Sequence, residues 1–214
     1  MPVITIDRMY GAGGETVGHL VAERLGAELV DAKFFVEVAR RLELPPDEVE
    51  RHEEVPGSFL NRVIEALGSA SIEFAAPPEA AAWAPPYNDP TLDTRKAVLQ
   101  ITQELVREAA RAGNAVIVGR GAAYLLRDHP RALLVFLRAS ERDRVAALRE
   151  TFGFGEEEAR RRIKQVDANR RAYVRQVYNH DWLDPGHYHL VVDTGRLGYE
   201  RAAAAILAAA KGSR

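Results

Sequence analysis

The stretch Ile4-Thr5-Ile6-Asp7-Arg8-Met9-Tyr10-Gly11-Ala12-Gly13-Gly14-Glu15-Thr16 decides how this chain is read. It opens as a short β-branched run, turns on glycines, and enters an apolar stripe of Val17, Leu20, Val21 and Leu25 that stops at Gly26. Strand, glycine turn and helix therefore follow one another directly. The stripe predicts a helix from near Thr16 to Gly26, with the glycine closing its C-terminus. Such a junction is what a phosphate cradle requires. Glycines let backbone N–H groups approach an anion closely, and the helix start adds unpaired donors and the positive end of a dipole. Thr16 sits where a hydroxyl could ligand Mg2+. A plain glycine turn between strand and helix is the competing reading.

Four further apolar runs, Glu28 to Val30, Ala115 to Val118, Leu133 to Leu137 and Leu190 to Val192, join Val3 to Ile6 as five expected strands. Helical segments separate them, which predicts right-handed crossovers and an α/β three-layer sandwich around a five-stranded parallel sheet. A helix is expected after Ser140, where Ser-x-x-Asp143 can cap the first turn, running to the Gly153/Gly155 break. Gly155 to Tyr178 reads as one long helix, opened by Glu156, Glu157 and Glu158, whose charges suit its N-terminal dipole. Between Leu44 and Thr94 the sheet pattern gives way to a polar helical piece and the Pro/Ala-rich stretch EFAAPPEAAAWAPPYNDPT. Its prolines exclude a continuous helix. Two readings stay open there, a surface loop and a substrate-covering flap carrying Trp83 and Tyr87. The chain is expected to form a single domain, 1–214, with this insertion at about 44–94 and a lid at about 153–171.

Composition narrows the function classes. With 47% hydrophobic and 28% charged residues the chain can bury a core and is unlike a disordered protein. A formal net charge of -2 gives no overall attraction to polyanions, so no nucleic-acid partner is expected; the one local basic stripe runs from Arg160 to Arg175. The absence of cysteine excludes disulfides, thiolate metal sites and a cysteine nucleophile. No apolar stretch reaches membrane-spanning length, and MPVITIDRMYGAGG lacks the pattern of a signal peptide, so a cytoplasmic setting without a membrane partner is expected. His180, His187 and His189 flank Trp182 without the spacing of a metal site.

Against the Walker A pattern in its kinase form, G-x-x-G-x-G-K-G-T, the opening stretch matches at Gly11, Gly13 and Thr16. Arg8 stands in place of the first glycine and Gly14 in place of the lysine. The chain's lysines, Lys33, Lys96, Lys164 and Lys211, all lie outside the loop. Taken in order, ITIDRMYGAGGETVG, VIVGRGAAYLL, DANRRAYVRQVYNHDW and YHLVVDTGRLG resemble the cytidylate kinase-like family, a branch of the P-loop nucleoside monophosphate kinases, over nearly the whole length. That family commonly lacks the Walker lysine and carries an Arg just before the loop.

The resemblance implies Mg2+-dependent transfer of the γ-phosphoryl group of ATP to a nucleoside monophosphate, CMP or dCMP, giving ADP and CDP from CMP. Arg8, Gly11, Ala12, Gly13, Gly14, Glu15 and Thr16 would hold the donor, with Thr16 on the metal. The Thr194 segment, after the last strand, resembles the loop that passes beside the adenine. Asp31, ending the second strand, would neighbour the acceptor; an N-cap for the helix containing Phe34, Phe35, Val38 and Leu42 is the alternative. Arg120 leaves the third strand at the same sheet edge, where its guanidinium fork suits an acceptor phosphate. Gly121 stands where cytidylate kinases carry Asp.

On the long helix Arg170 falls within the apolar face of Ile163, Val166, Val174 and Val177, with Asp167 at its edge and Arg160 nearby. A buried guanidinium is costly alone, so Arg170 must meet Asp167, another carboxylate or a ligand phosphate. The resemblance implies a lid in which Arg160 and Arg170 meet the transferring phosphoryl group and Asp167 orients Arg170. Arg8, the only cation within the loop segment, is read from its position as standing in for the lysine and sharing the catalytic charge; pairing with Asp7 or Glu15 to brace the loop is the alternative. The rival readings are a non-catalytic nucleotide sensor of the same fold and a kinase of another small metabolite.

Overall fold

The computed structural model describes residues 2–30, 41 and 91–212. Five strands, β1 (Val3–Arg8), β2 (Glu28–Val30), β3 (Ala115–Val118), β4 (Ala132–Arg138) and β5 (Leu190–Asp193), form one sheet in the order β2-β3-β1-β4-β5. Every pairing is parallel. Parallel neighbours cannot be joined by hairpins, so the helices between them cover the sheet. The described helices are α1 (Gly14–Leu25), α2 (Thr91–Ala112), α3 (Ala122–Leu125), α4 (Glu141–Phe152), α5 (Glu156–Tyr178), α6 (Thr194–Leu197) and α7 (Tyr199–Gly212).

Alternation along the strands sorts the core into two layers. Ile4, Ile6, Val116, Leu133, Val135 and Leu137 pack with Val17 and Val21 of α1 and with Ala202, Ala203 and Ile206 of α7. The intervening residues Val3, Ala115, Ile117, Ala132 and Leu134 face Val106 and Ala110 of α2 and Ala122 of α3. This is the three-layer sandwich expected from the sequence, with all five strands where the apolar runs lie.

Element ends differ in informative ways. β1 continues two residues past its apolar run, with Asp7 and Arg8 in register with Phe136 and Leu137 of β4. A polar pair inside a buried strand leaves no hydrophobic signal, so the run stops short at Ile6. α1 starts at Gly14 rather than near Thr16, because Gly13 takes a left-handed conformation (φ 74°) and turns the chain straight into the helix. Its other end is at Gly26, also left-handed (φ 57°), whose N–H returns to the carbonyls of Ala22 and Glu23. α5 is continuous from Glu156 with three glutamates in its first turn. α2 begins at Thr91, inside the segment expected to be insertion. Asp31, the rest of that segment, Trp83 and Tyr87 lie outside the described residues.

α4 has the cap its sequence promised. Ser140 Oγ accepts the Asp143 amide at 3.2 Å and donates to Asp143 Oδ2 at 2.6 Å. Replacing a serine N-cap by alanine costs about 1 kcal/mol. Ser140→Ala should therefore lower the thermal midpoint by about 2–4 °C in a calorimetric scan. An unchanged midpoint would show that the cap carries no stability.

Candidate functional site

β1 is central in the sheet, so the loop that follows it leaves from the middle of the carboxyl edge, where open α/β folds bind ligands. The loop is fixed from outside. Arg170 Nη1 of α5 donates to the Arg8 carbonyl at 2.8 Å. Arg144 Nη1 of α4 donates to the Tyr10 carbonyl at 3.2 Å. Thr194 Oγ1 donates to the Ala12 carbonyl at 3.0 Å and lies 3.2 Å from the Arg138 carbonyl. Three alternate carbonyls are thus held by three different elements. On the amide side, Tyr10 N–H donates to Asp167 Oδ1 at 2.9 Å. The first intrahelical bond of α1 is Val17 N–H to the Gly13 carbonyl, so the amides of Gly14, Glu15 and Thr16 come before it, in the turn where a helix presents donors to an anion.

Asp167 has a different partner from the one expected. Its Oδ2 accepts from Arg144 Nη1 at 2.6 Å, while Oδ1 takes the Tyr10 amide, so the residue it orients is Arg144 rather than Arg170. The sequence reading passes over Arg144. The signal is available: Arg144 shares a helical face with Val145 and Leu148, both buried, in the way Arg170 shares one with Val166 and Val174. Arg170 is 2% exposed and its guanidinium lies 6.0 Å from the centre of the Tyr10 ring. Arg160 is placed differently from the other arginines. It is partly exposed and pairs with Glu141 of α4 and, at 2.9 Å, with Glu156 one turn away.

Among the described residues the buried ionisable side chains other than tyrosine are Asp7, Arg8, Arg120, Arg144 and Arg170, each less than 9% exposed. All five cluster at the carboxyl edge. Arg8 crosses from Gly14 to Gly119: a Cβ on Gly14 would lie 2.5 Å from Arg8 Cγ, and one on Gly119 would overlap Arg8 Nη1. Arg120 follows, with a left-handed φ of 61° that no β-carbon favours, so it is held there by its surroundings. Among the described residues, four buried guanidiniums thus gather at the loop with the carboxylates of Asp7 and Asp167.

Next to it lies a tyrosine layer. Tyr124 and Tyr188 hydroxyls meet at 2.8 Å, and the Tyr188 hydroxyl lies 3.0 Å from the Trp182 carbonyl and 3.4 Å from Asp7 Oδ2. Burial pushes the Tyr188 phenol far up, with the Asp7 charge adding to it, and burial likewise raises Tyr124, Tyr173 and Tyr178. These phenols stay neutral at physiological pH and add no negative charge. Tyr178, stacked on Tyr124, occupies the space that a Cβ on Gly121 would enter.

The loop's other flank carries a small cleft of about 110 Å³ lined by Gly11, Ala139, Asp143, Thr194, Gly195, Gly198 and Tyr199. The structure so brings Gly11 and Thr194 together there, and the Tyr199 ring covers Gly13. Glu15 and Thr16 are exposed on the first turn of α1. The described residues contain no group of three or more His, Asp or Glu able to hold a metal. Mg2+ in phosphate sites is held mostly by phosphate and water with only one or two protein ligands, so such a site needs no cluster of this kind.

Comparison with known proteins agrees with this geometry. The sequence profile of the cytidylate kinase-like family matches residues 3–196. A cytidylate kinase of Pyrobaculum islandicum is 27% identical over 205 residues, covering 94% of this chain and 89% of that protein. A crystal structure of an uncharacterised protein from Eubacterium ventriosum superposes with a TM-score of 0.67 at 19% identity, each chain covered completely. Shikimate kinase from Acinetobacter baumannii, in complex with shikimate, gives 0.53 at 16% identity over 100% of this chain and 95% of its own. The fold is that of the P-loop kinases.

The bracing of the loop can be measured. Asp167→Ala leaves Arg144, with a side chain 10% exposed, without its carboxylate, and loss of one partner of such a pair costs about 3 kcal/mol. Urea denaturation should show a clear fall for Asp167→Ala and none for Arg160→Ala. Equal effects would mean that Asp167 is no more than a surface charge.

Proposed function

This chain belongs to the cytidylate kinase-like family, and we propose that it transfers the γ-phosphoryl group of ATP to a nucleoside monophosphate, CMP or dCMP. Family and fold together support a nucleotide phosphotransferase; the acceptor is our reading. The observation that supports it is the excess of positive charge around the glycine loop, Arg8, Arg120, Arg144 and Arg170 against Asp7 and Asp167 among the described residues, a field that favours anionic ligands.

Each part follows from where the residues lie. The amides of Gly11 and of Gly13 to Thr16 bind the donor phosphates, the Ala12 amide being held by the Met9 carbonyl, and Arg8 adds charge across them. The Thr194 cleft takes the base side of the donor. Arg120, together with Asp31 beyond the described residues, takes the acceptor side. Arg170 neutralises charge on the transferring group. Arg160 joins it only by leaving its pairs with Glu141 and Glu156. Asp167 acts at one remove, through Arg144 and the Tyr10 amide. Mg2+, held through Thr16, would neutralise phosphate charge when bound. No covalent enzyme intermediate is required, because positioning and electrostatics suffice for phosphoryl transfer. The insertion at about 44–94 and the lid at about 153–171 would exclude water during transfer.

One observation bears on the acceptor base. The Tyr178 ring fills the space beside Gly121, so a carboxylate at 121 has no room and base selection must come from other residues.

A coupled ADP-release assay across CMP, dCMP, UMP, AMP, GMP and shikimate tests the reading. Turnover should be fastest with CMP or dCMP. Arg120→Ala should raise the acceptor KM by roughly tenfold to a hundredfold, the loss of one charge-assisted hydrogen-bonded contact, with the ATP KM unchanged. The proposal fails if none of the nucleotides is turned over, which leaves the nucleotide sensor and the kinase of another small metabolite as the readings.

A further inference from the structure

Gly14 takes the place of the Walker lysine, and its backbone gives no reason for a glycine. It is the first residue of α1 and is absent from the glycines with positive φ, so any L-residue could adopt its conformation. The reason is steric. An ideal Cβ on Gly14 would lie 2.5 Å from Cγ, 2.8 Å from Cδ and 3.0 Å from Nε of Arg8. These include atoms near the root of the side chain, fixed by a strand residue that is 3% exposed. Cγ cannot swing aside as a terminal atom could. The far end of the same side chain lies over Gly119, where Nη1 occupies the position of a Cβ.

We propose that Arg8 and a lysine at position 14 are mutually exclusive solutions to one task, and that Arg8 is the phosphate-binding cation that replaces the Walker lysine in this chain. The replacement changes the reach of the charge as well as its chemistry. A lysine at position 14 would start from the helix and offer a point charge. Arg8 starts from the strand, passes beneath Gly14 and ends at the β3 loop that carries Arg120. Its fork can hold two phosphate oxygens at once, and its end lies between the donor loop and the acceptor side. Gly14 and Gly119 are then the two places where the backbone makes room for it. The inference rests on the reading of the loop as a triphosphate site, and deepens it by naming the cation.

A transplant tests it. ATP affinity is measured by calorimetry, and thermal midpoints without nucleotide, for the full chain and for Gly14→Lys, Arg8→Met, Arg8→Ala and the double variant Arg8→Ala with Gly14→Lys. Arg8→Met keeps the stem and its packing while removing the charge, so it reports on charge even if Arg8→Ala folds poorly. Arg8→Met should bind ATP roughly tenfold to a hundredfold more weakly. Gly14→Lys alone overpacks against Arg8 and should lower the midpoint by about 3–10 °C. In the double variant the stem is gone, and the introduced lysine should recover the midpoint and bring ATP affinity to within about fivefold of the parent, a coupling that independent sites would not show.

The proposal is overturned if Arg8→Met binds ATP as the parent does, if Gly14→Lys is tolerated with no fall in midpoint, or if the double variant binds no better than Arg8→Met. Because binding and stability are the readouts, the outcome is separate from the kinase reading. Failure of turnover with every monophosphate would remove the proposed reaction and leave standing the exchange of Arg8 for a lysine at position 14.

Discussion

The structure depends on three hydrogen bonds to alternate carbonyls of one loop. Arg8, Tyr10 and Ala12 each present a carbonyl that is taken by a side chain from a different element, Arg170 from α5, Arg144 from α4 and Thr194 from the start of α6. Peptide groups are obligatory donors and acceptors, and a loop at the end of a buried strand cannot leave them to water. Sheet pairing does not supply them either: Arg8 is the last residue of β1, and Tyr10 and Ala12 lie beyond it. The donors must therefore come from whatever packs around the loop. That requirement places α4, α5 and α6 about it as much as their apolar contacts do.

Those donors carry charge, and this links architecture to chemistry. A guanidinium bonds a carbonyl with one nitrogen and keeps further N–H groups for other partners, which an ammonium point charge does less well. Arg144 shows the division: Nη1 alone serves both the Tyr10 carbonyl and Asp167. Bracing the loop with arginines so brings positive charge to the place where phosphate would sit, at a desolvation cost offset by the Asp167 pair. The neighbouring tyrosines complete the polar layer with hydroxyls and, kept neutral by burial, do not cancel that charge. Surface arginines belong to a different category. Arg160 between Glu141 and Glu156 is a solvated ion-pair group, in a setting where such pairs contribute little.

The sheet was legible because its signal is local. Runs such as Ala115–Val118 announce a strand by composition, and Ser140 with Asp143 announce a helix start by spacing. The loop was legible as a glycine turn from strand to helix for the same reason. What escaped the reading were relations between distant residues. Asp7 and Arg8 look like the start of the loop until β4 is seen to run beside them. Arg170 stood out because it interrupts an apolar face on a long helix, whereas Arg144 does so on a short one with only Val145 and Leu148 to mark the stripe. Tyr178 and Tyr199 carry no local sign of their contacts with Gly121 and Gly13. Asp31 was read from its place at a strand end, and it lies outside the described residues.

Glycine in this chain consequently has two meanings that a pattern of letters merges. At Gly26 the left-handed conformation is the whole explanation, since nothing lies near the missing side chain. At Gly14 conformation explains nothing, and the Arg8 stem explains everything. Between these extremes, Gly195 makes room for the Asp143 carboxylate, which accepts from the Ser140 hydroxyl that caps α4. A motif read as turns would treat all of these as interchangeable flexibility. Read as vacated volume, they identify which remote side chain fills each space: tyrosine on Gly121, arginine on Gly14, carboxylate on Gly195. On the proposed exchange the departure from the Walker pattern is a paired change, a side chain absent at one position where another passes through its place. Neither half can be judged alone, and the absence of a lysine is by itself no sign that the loop has lost its hold on phosphate.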